Sequence, residues 1–300
     1  MVEIKCPPRD IDETDRINLL FENIERYIDS EPFKQLVLLF GGIDYSNMSL
    51  NEKINYLSEF VKVWDYRNSK ERWAIKNDDY INQNKEFIRK CLIELNMVYT
   101  RPLETKPDFI LILGGANKNN FIRPEKAKTV YDMCEIKPIV VGLTCDRPIN
   151  EMEQEMYASY EGRIRTEADA IGEGIKEKFG VSIQSKNDNI VHYGNNIYMI
   201  SARNYPDGRR ANTYDTFKEF VKFFNISDED ILLVTNQPYT SYQLFKFMDF
   251  ALEHNLYIEA IGCDEPDNLQ EANYLQEFKS NIDAIKDLYE KYMMEEKYER

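Results

Sequence analysis

The chain has 300 residues, 43% of them hydrophobic, and its 53 acidic against 38 basic residues leave a formal net charge of −15. That composition supports a sizeable core in one or two domains and lacks the basic footprint by which nucleic-acid-binding domains hold phosphates. The five cysteines (Cys6, Cys91, Cys134, Cys145, Cys263) are odd in number, scattered and without a CxxC pair, and there are two histidines, His192 and His254. No zinc or iron–sulfur site is expected, and the reducing cytosol is the expected compartment. The opening residues lack a signal-peptide apolar core, and no run approaches the roughly eighteen apolar residues of a membrane span. The expected protein is therefore cytoplasmic, with no nucleic-acid or membrane partner.

Residues 1–105 read as helical. Leu19, Leu20, Ile24 and Ile28 recur at helical spacing; Ile54, Leu57, Phe60, Val61 and Trp64 form a stripe over Asn51–Trp64; and Ile81, Phe87, Ile88, Leu92 and Leu95 form another over Asp79–Met97. Pro102 and Pro107 then break the pattern, which places a domain boundary there. Beyond it the strand candidates are Phe109–Leu113, Pro138–Leu143, Ile197–Ser201, Ile231–Thr235 and Tyr257–Ile261. They alternate with helix candidates at Pro124–Cys134, Met152–Phe179, Thr213–Phe224 and Tyr239–His254. Such alternation predicts an α/β domain over residues 106–300, a parallel sheet with helices on both faces. The tail, Leu269–Tyr298, reads as an amphipathic closing helix. Residues 1–105 are expected to form a helical cap over the crevice at the strand ends.

Four loops follow strand carboxyl ends, where open α/β sheets place their ligands. The first, Gly114-Gly115-Ala116-Asn117 through Arg123, joins turn glycines to a cation before a helix, a pattern suited to an anion or to an ordinary strand–helix turn. The second carries Thr144 and Cys145, the latter either a nucleophile or a small buried side chain. The third, Arg203 to Thr216, gathers three arginines in an acidic chain and leads into Asn212 and Thr213. The fourth, Thr235-Asn236-Gln237-Pro238-Tyr239, offers amides and hydroxyls to a polar molecule. Between the second and third lies Thr166-Glu167-Ala168, flanked by Arg163 and Arg165; it reads as a helix start or as an acid–base carboxylate held ionised by those arginines.

In order, Leu113-Gly114-Gly115, Arg123 with Ala127 and Tyr131, Thr166-Glu167-Ala168, Asn212-Thr213-Tyr214-Asp215-Thr216 and Val234-Thr235-Asn236 resemble the DUF218 family, the YdcF/SanA/ElyC-like proteins, over about residues 108–265. The second-strand Ser-Gly-Gly of that family is here Leu143-Thr144-Cys145, and its His and Arg after the fourth strand are Tyr239 and Tyr242. The resemblance implies a Rossmann-like fold and S-adenosylmethionine as a candidate cofactor. The combined reading is a cytosolic enzyme, a transferase or hydrolase, acting on a small anionic, phosphorylated or nucleotide-like substrate. Glu167 is its catalytic residue; Gly114, Gly115, Asn117, Arg123, Thr144, Asn212, Thr213, Thr235, Asn236, Gln237 and Tyr239 are its ligand-binding residues. The rival reading is a non-catalytic sensor of S-adenosylmethionine or a nucleotide.

Overall fold

The computed structural model describes residues 2, 4–67, 74–99, 102–263 and 269–294. Trp73 and the end of the predicted tail helix, residues 295–298, lie outside them. The chain divides into two compact units: residues 1–101, 237–252 and 264–300 form the first, and residues 102–236 and 253–263 the second.

The first unit is helical, with α1 (Glu13–Ile28), α2 (Glu31–Leu39), α3 (Leu50–Phe60), α4 (Asp79–Gln83) and α5 (Lys85–Glu94). The Asp79–Met97 stripe is thus two helices, meeting at Asn84. In the second unit come β1 (Phe109–Leu113), α6 (Asn119–Met133), β2 (Ile139–Cys145), α7 (Glu151–Met156) and α8 (Glu167–Phe179). They are followed by β3 (Ser185–Asn187), β4 (Ile190–Gly194), β5 (Ile197–Ala202), α9 (Thr213–Phe224) and β6 (Asp230–Asn236). The chain then runs through α10 (Thr240–Glu253), most of which belongs to the first unit, returns for β7 (Tyr257–Cys263), and ends in α11 (Glu271–Tyr289).

In the first unit Trp64, Tyr27, Phe33 and Phe278 are fully buried, and the Phe33 and Trp64 rings both pack on Phe278 of α11. Lys53 of α3 reaches back to Glu25 (2.8 Å) and Asp29 (2.6 Å) at the end of α1. The expectation of a one-faced closing helix fails at α11: residues 271–278 are buried all round. Glu271, Asn273 and Gln276 are tolerated there because they have hydrogen-bond partners. Glu271 accepts from Asn77 Nδ2 at 2.7 Å and Gln276 from the Arg67 amide at 2.9 Å, while Asn77 Oδ1 accepts the Ala272 amide at 3.0 Å.

The second unit is α/β as the alternation predicts: a seven-stranded sheet of order β3-β4-β5-β2-β1-β6-β7, in which β5, β2, β1, β6 and β7 are parallel. Ile110 and Ile112 pack with Ile171 and Ile175 of α8 and Ala127 of α6, so these helices share one face. Phe109, pointing the other way, stacks edge-on against Phe220 and Phe224 of α9, which covers the opposite face. The antiparallel β3 and β4 are not among the predicted strands. Their signal was legible in Asn195–Asn196, whose positive φ values (51° and 59°) make the two-residue hairpin turn into β5. The predicted helix over Met152–Phe179 is broken: α7 ends at Met156, a single 3-10 turn follows at Ala158–Tyr160, and the chain then turns away with Glu161 and Gly162 both at positive φ. Helix α6 starts five residues before Pro124, leaving the proline inside it. Proline cannot supply the amide that the Asn120 carbonyl would accept. That carbonyl faces Gly174 of α8, where a Cβ would lie 2.0 Å from it. Only glycine lets the two helices approach this closely.

Among the described residues, no helix is long and apolar enough to cross a membrane.

Candidate functional site

The chain leaves β1 to one side of the sheet through β2 and β5, then returns to the other side as β6. The direction therefore reverses between β1 and β6, and the carboxyl ends beside this switch point are where such sheets bind ligands. Arg123, 5% exposed, spans it. Its Nη1 donates to the Leu113 and Gly114 carbonyls, both at 2.6 Å, and its Nε to Asn236 Oδ1 at the end of β6, also at 2.6 Å. The guanidinium also lies against Gly115, where a Cβ would be 2.9 Å from Nη1. Asn120 closes the turn, accepting the Gly115 amide at 3.1 Å and donating to its carbonyl at 2.7 Å. Asn117 takes the left-handed conformation at φ 58°.

Thr166 begins α8 with a capping box, accepting the Asp169 amide at 3.1 Å, so Glu167 is the first helical residue. The cap orients Glu167 towards the strand ends: it is 7% exposed, and its Oε1 accepts from Thr144 Oγ1 at 3.2 Å. A Cβ on Gly114 would lie 2.5 Å from that same oxygen. The cation holding Glu167 is neither Arg163 nor Arg165, which are exposed; Arg163 faces Glu173 at 3.7 Å instead. It is Arg147, just past β2, whose Nε donates to Glu167 Oε2 at 3.0 Å. Arg163 and Arg165 precede the Thr166 cap and lie exposed in the loop outside the helix, whereas Arg147, just past β2, faces Glu167.

Arg147 gives its other two nitrogens to Glu153 of α7, each at 2.7 Å. Glu153 has no exposed surface and also accepts the Asn117 amide at 3.1 Å and the Asn150 amide at 2.9 Å. Burial opposes its charge, but the hydrogen bonds from Arg147, Asn150 and Asn117 outweigh it and hold the carboxyl below its ordinary range. The hydrogen bonds to Glu153, with the charge and hydrogen bond of Glu167, raise Arg147 above its ordinary value despite its burial. The Tyr157 hydroxyl donates to the Asn117 carbonyl and ties the same segment to the glycine turn. Arg147, Glu153, Asn120 and Tyr157 were not singled out in the sequence. The Asn150-x-x-Glu153 capping box was readable there; its coupling to Arg147 was not.

Burial pushes the Cys145 thiol up, the Glu167 charge adds to this, and Arg210 opposes it, so the thiolate is disfavoured. Ser201 donates to Asp146 at 2.6 Å. Asn212 is exposed and caps α9, accepting the Asp215 amide at 3.2 Å, and Thr213 is the first residue of that helix. Among the arginines of this loop, Arg203 pairs with Asp188 and Arg209 lies 3.6 Å over the Tyr205 ring. Thr235 is wholly buried, its hydroxyl unpartnered among the described residues. Gln237 and Tyr239 belong to the first unit, where Gln237 donates to the Tyr99 carbonyl and accepts from Thr240, both at 2.9 Å. The structure thus gathers Gly114, Gly115, Asn117, Arg123, Thr144, Glu167 and Asn236 around one end of the sheet, and leaves Asn212 and Thr213 as a helix start. Among the described residues, no group of three His, Cys, Asp or Glu side chains is placed to hold a metal ion.

The family model for the Rv3785 N-terminal domain matches residues 12–96. Over 318 aligned residues, covering 89% of each chain, the protein is 23% identical to the uncharacterized protein Rv3785 of Mycobacterium tuberculosis and to the uncharacterized protein Mb3814 of Mycobacterium bovis. No solved structure matches it. These findings overturn the DUF218 resemblance, since no model of that family matches and the relatives belong to the Rv3785 group. The geometry explains the false likeness. Thr166-Glu167 and Asn212-Thr213 are helix caps and Leu113-Gly114-Gly115 is a strand-end turn, parts that many doubly wound sheets need in the same order.

Proposed function

We propose that the second unit binds a small anionic molecule at the carboxyl ends of β1, β2 and β6, and that Glu167 contacts its hydroxyl or moves its proton. The observation that carries this reading is a buried carboxylate at the switch-point end of the sheet, lying directly over Gly114. Removing a charge from water is costly, and here it is offset by Arg147 and Thr144. A helix start needs no such arrangement, because Thr166 and Asp169 already cap α8 between themselves. Arg210, in the loop after β5, acts on Cys145 at the end of β2 and supplies positive charge at the same strand ends. Chemically, the class is proton transfer within, or hydrolysis or group transfer of, a small anion.

A second reading, a non-catalytic sensor, draws support from Arg123, which is committed to main-chain carbonyls and Asn236 and so serves shape. One experiment separates the two. Mass spectrometry of the denatured full-length protein identifies a copurifying small molecule, and Glu167→Gln is then assayed with it. An enzyme keeps much of its binding and loses about 10²–10⁴ in rate; a sensor changes only in affinity. Unchanged binding and turnover in a folded Glu167→Gln protein removes Glu167 from the site.

A further inference from the structure

Resting on the reading above, the geometry points to a second subsite beside Glu167. We propose that the fork of Arg147 and the Asn117 amide form an oxyanion subsite, filled here by the chain's own Glu153 carboxylate, and that the α7 segment is the strap that brings it in. An oxyanion is best held by a planar two-pronged guanidinium with added backbone amides. Glu153 meets that full set: two nitrogens of Arg147 at 2.7 Å, the Asn117 amide at 3.1 Å and the Asn150 amide at 2.9 Å. Of these, only Asn150 belongs to the strap's own capping box; Arg147 and Asn117 come from the ends of β2 and of the glycine turn. The same Arg147 touches Glu167 through Nε. A ligand whose hydroxyl lies on Glu167 therefore has this fork as the adjoining place for its carboxylate or phosphate.

The strap is made to come and go as a piece. It runs from Pro148, bridged to Thr166, through the six residues of α7 to the left-handed pair Glu161 and Gly162. Its outer side chains, Glu151, Gln154 and Glu155, are exposed. Inward it is held by Glu153, by the Tyr157 hydroxyl on Asn117, and by a small apolar cluster of Ile149, Tyr157 and Ile164 beside Phe121 and Tyr160. An incoming oxyanion exchanges with Glu153 without leaving Arg147 unpaired, so opening avoids the penalty of an uncompensated buried charge.

The test uses full-length protein with formate and inorganic phosphate as probes, read by thermal melting and by calorimetry, with chloride at matched ionic strength as the control. Glu153→Ala lowers the melting temperature, and formate or phosphate raises it again saturably; the better probe distinguishes a planar from a tetrahedral occupant. Adding Arg147→Ala weakens that anion affinity about ten- to a hundredfold, the scale of a charge-assisted pair. A folded Glu153→Ala protein with no saturable response to either anion overturns the proposal and leaves the Arg147–Glu153 pair purely structural. If Glu153→Ala does not fold, Tyr157→Phe frees the strap's tether and keeps the carboxylate: it is expected to bind phosphate more tightly than the unsubstituted protein, and equal binding overturns the proposal. The anion response is read in proteins that keep Glu167 unchanged. Failure here with an intact Glu167→Gln effect on the copurifying molecule sinks the subsite alone, and the reverse pattern sinks the reading of Glu167.

Discussion

Glu167 Oε1 occupies the place beside Gly114 that a side chain there would need: a Cβ would sit 2.5 Å from it and 3.0 Å from the Leu143 carbonyl. Gly114 and Glu167 are 53 positions apart in the chain, yet each sets the other's identity.

Gly114→Ala is therefore expected to push Glu167 out of its hydrogen bonds with Thr144 and Arg147, and to cost about 1–3 kcal/mol as overpacking. Chemical denaturation measures the loss. A variant as stable as the parent, with an unmoved Glu167 in its crystal structure, refutes the close contact.

At the crossing of α6 and α8, Gly174→Ala places a methyl 2.0 Å from the Asn120 carbonyl. Backbone cannot swing aside as a flexible side chain can, so a loss of about 1–3 kcal/mol or more is expected. Gly180→Ala provides the contrast, because a Cβ there meets nothing within 4 Å and its cost comes only from the φ of 65°. Equal melting temperatures for Gly174→Ala and the parent would exclude this packing.

Glu153→Gln breaks a buried ion pair on one side and leaves Arg147 half-partnered, for an expected loss of about 3–5 kcal/mol at neutral pH. The folded carboxyl lies below its unfolded value. Its contribution is therefore complete above the unfolded carboxylate range and disappears as pH falls through the folded value. The parent should lose stability on acidification where Glu153→Gln loses less. Parallel stability curves for the two proteins from neutral to acid pH would rule out this linkage.

Thiol chemistry gives a further check. Burial pushes Cys91 up to about 11 and also raises Cys145, whereas Cys134 is half-buried at the end of α6. At neutral pH Cys134 is expected to react with a thiol reagent well before Cys91 or Cys145, whose reaction needs local opening. Peptide mapping after brief labelling decides it, and early modification of Cys145 would restore that residue as a nucleophile.

In the helical unit, Trp64 is fully buried against Phe33, Phe40, Phe60 and Phe278. Trp64→Ala is expected to cost about 3–5 kcal/mol, the usual range for a large aromatic deleted from a core. Loss of the cooperative near-ultraviolet transition of this unit reports it; a change under 1 kcal/mol, well below that range, would contradict the packing.

Local pattern alone determined much of this protein. The apolar run Phe109–Leu113, the turn glycines after it, the strand–helix alternation and the capping signatures at Thr166 and Asn212 are short-range features, governed by backbone sterics and periodicity. They place β1, β2, β5, β6 and β7 in a parallel sheet and Glu167 at a helix start. Only the tertiary structure decided what those residues meet. Arg123 bridges Leu113, Gly114 and Asn236, since these partners come from two strands that the order of the sheet brings together. Likewise, the cation on Glu167 is Arg147 and not its sequence neighbours, and Glu153 reaches the glycine turn across 36 positions. Charge pairing at the sheet's end depends on which strand ends lie side by side. That is a property of topology, which no local spacing encodes.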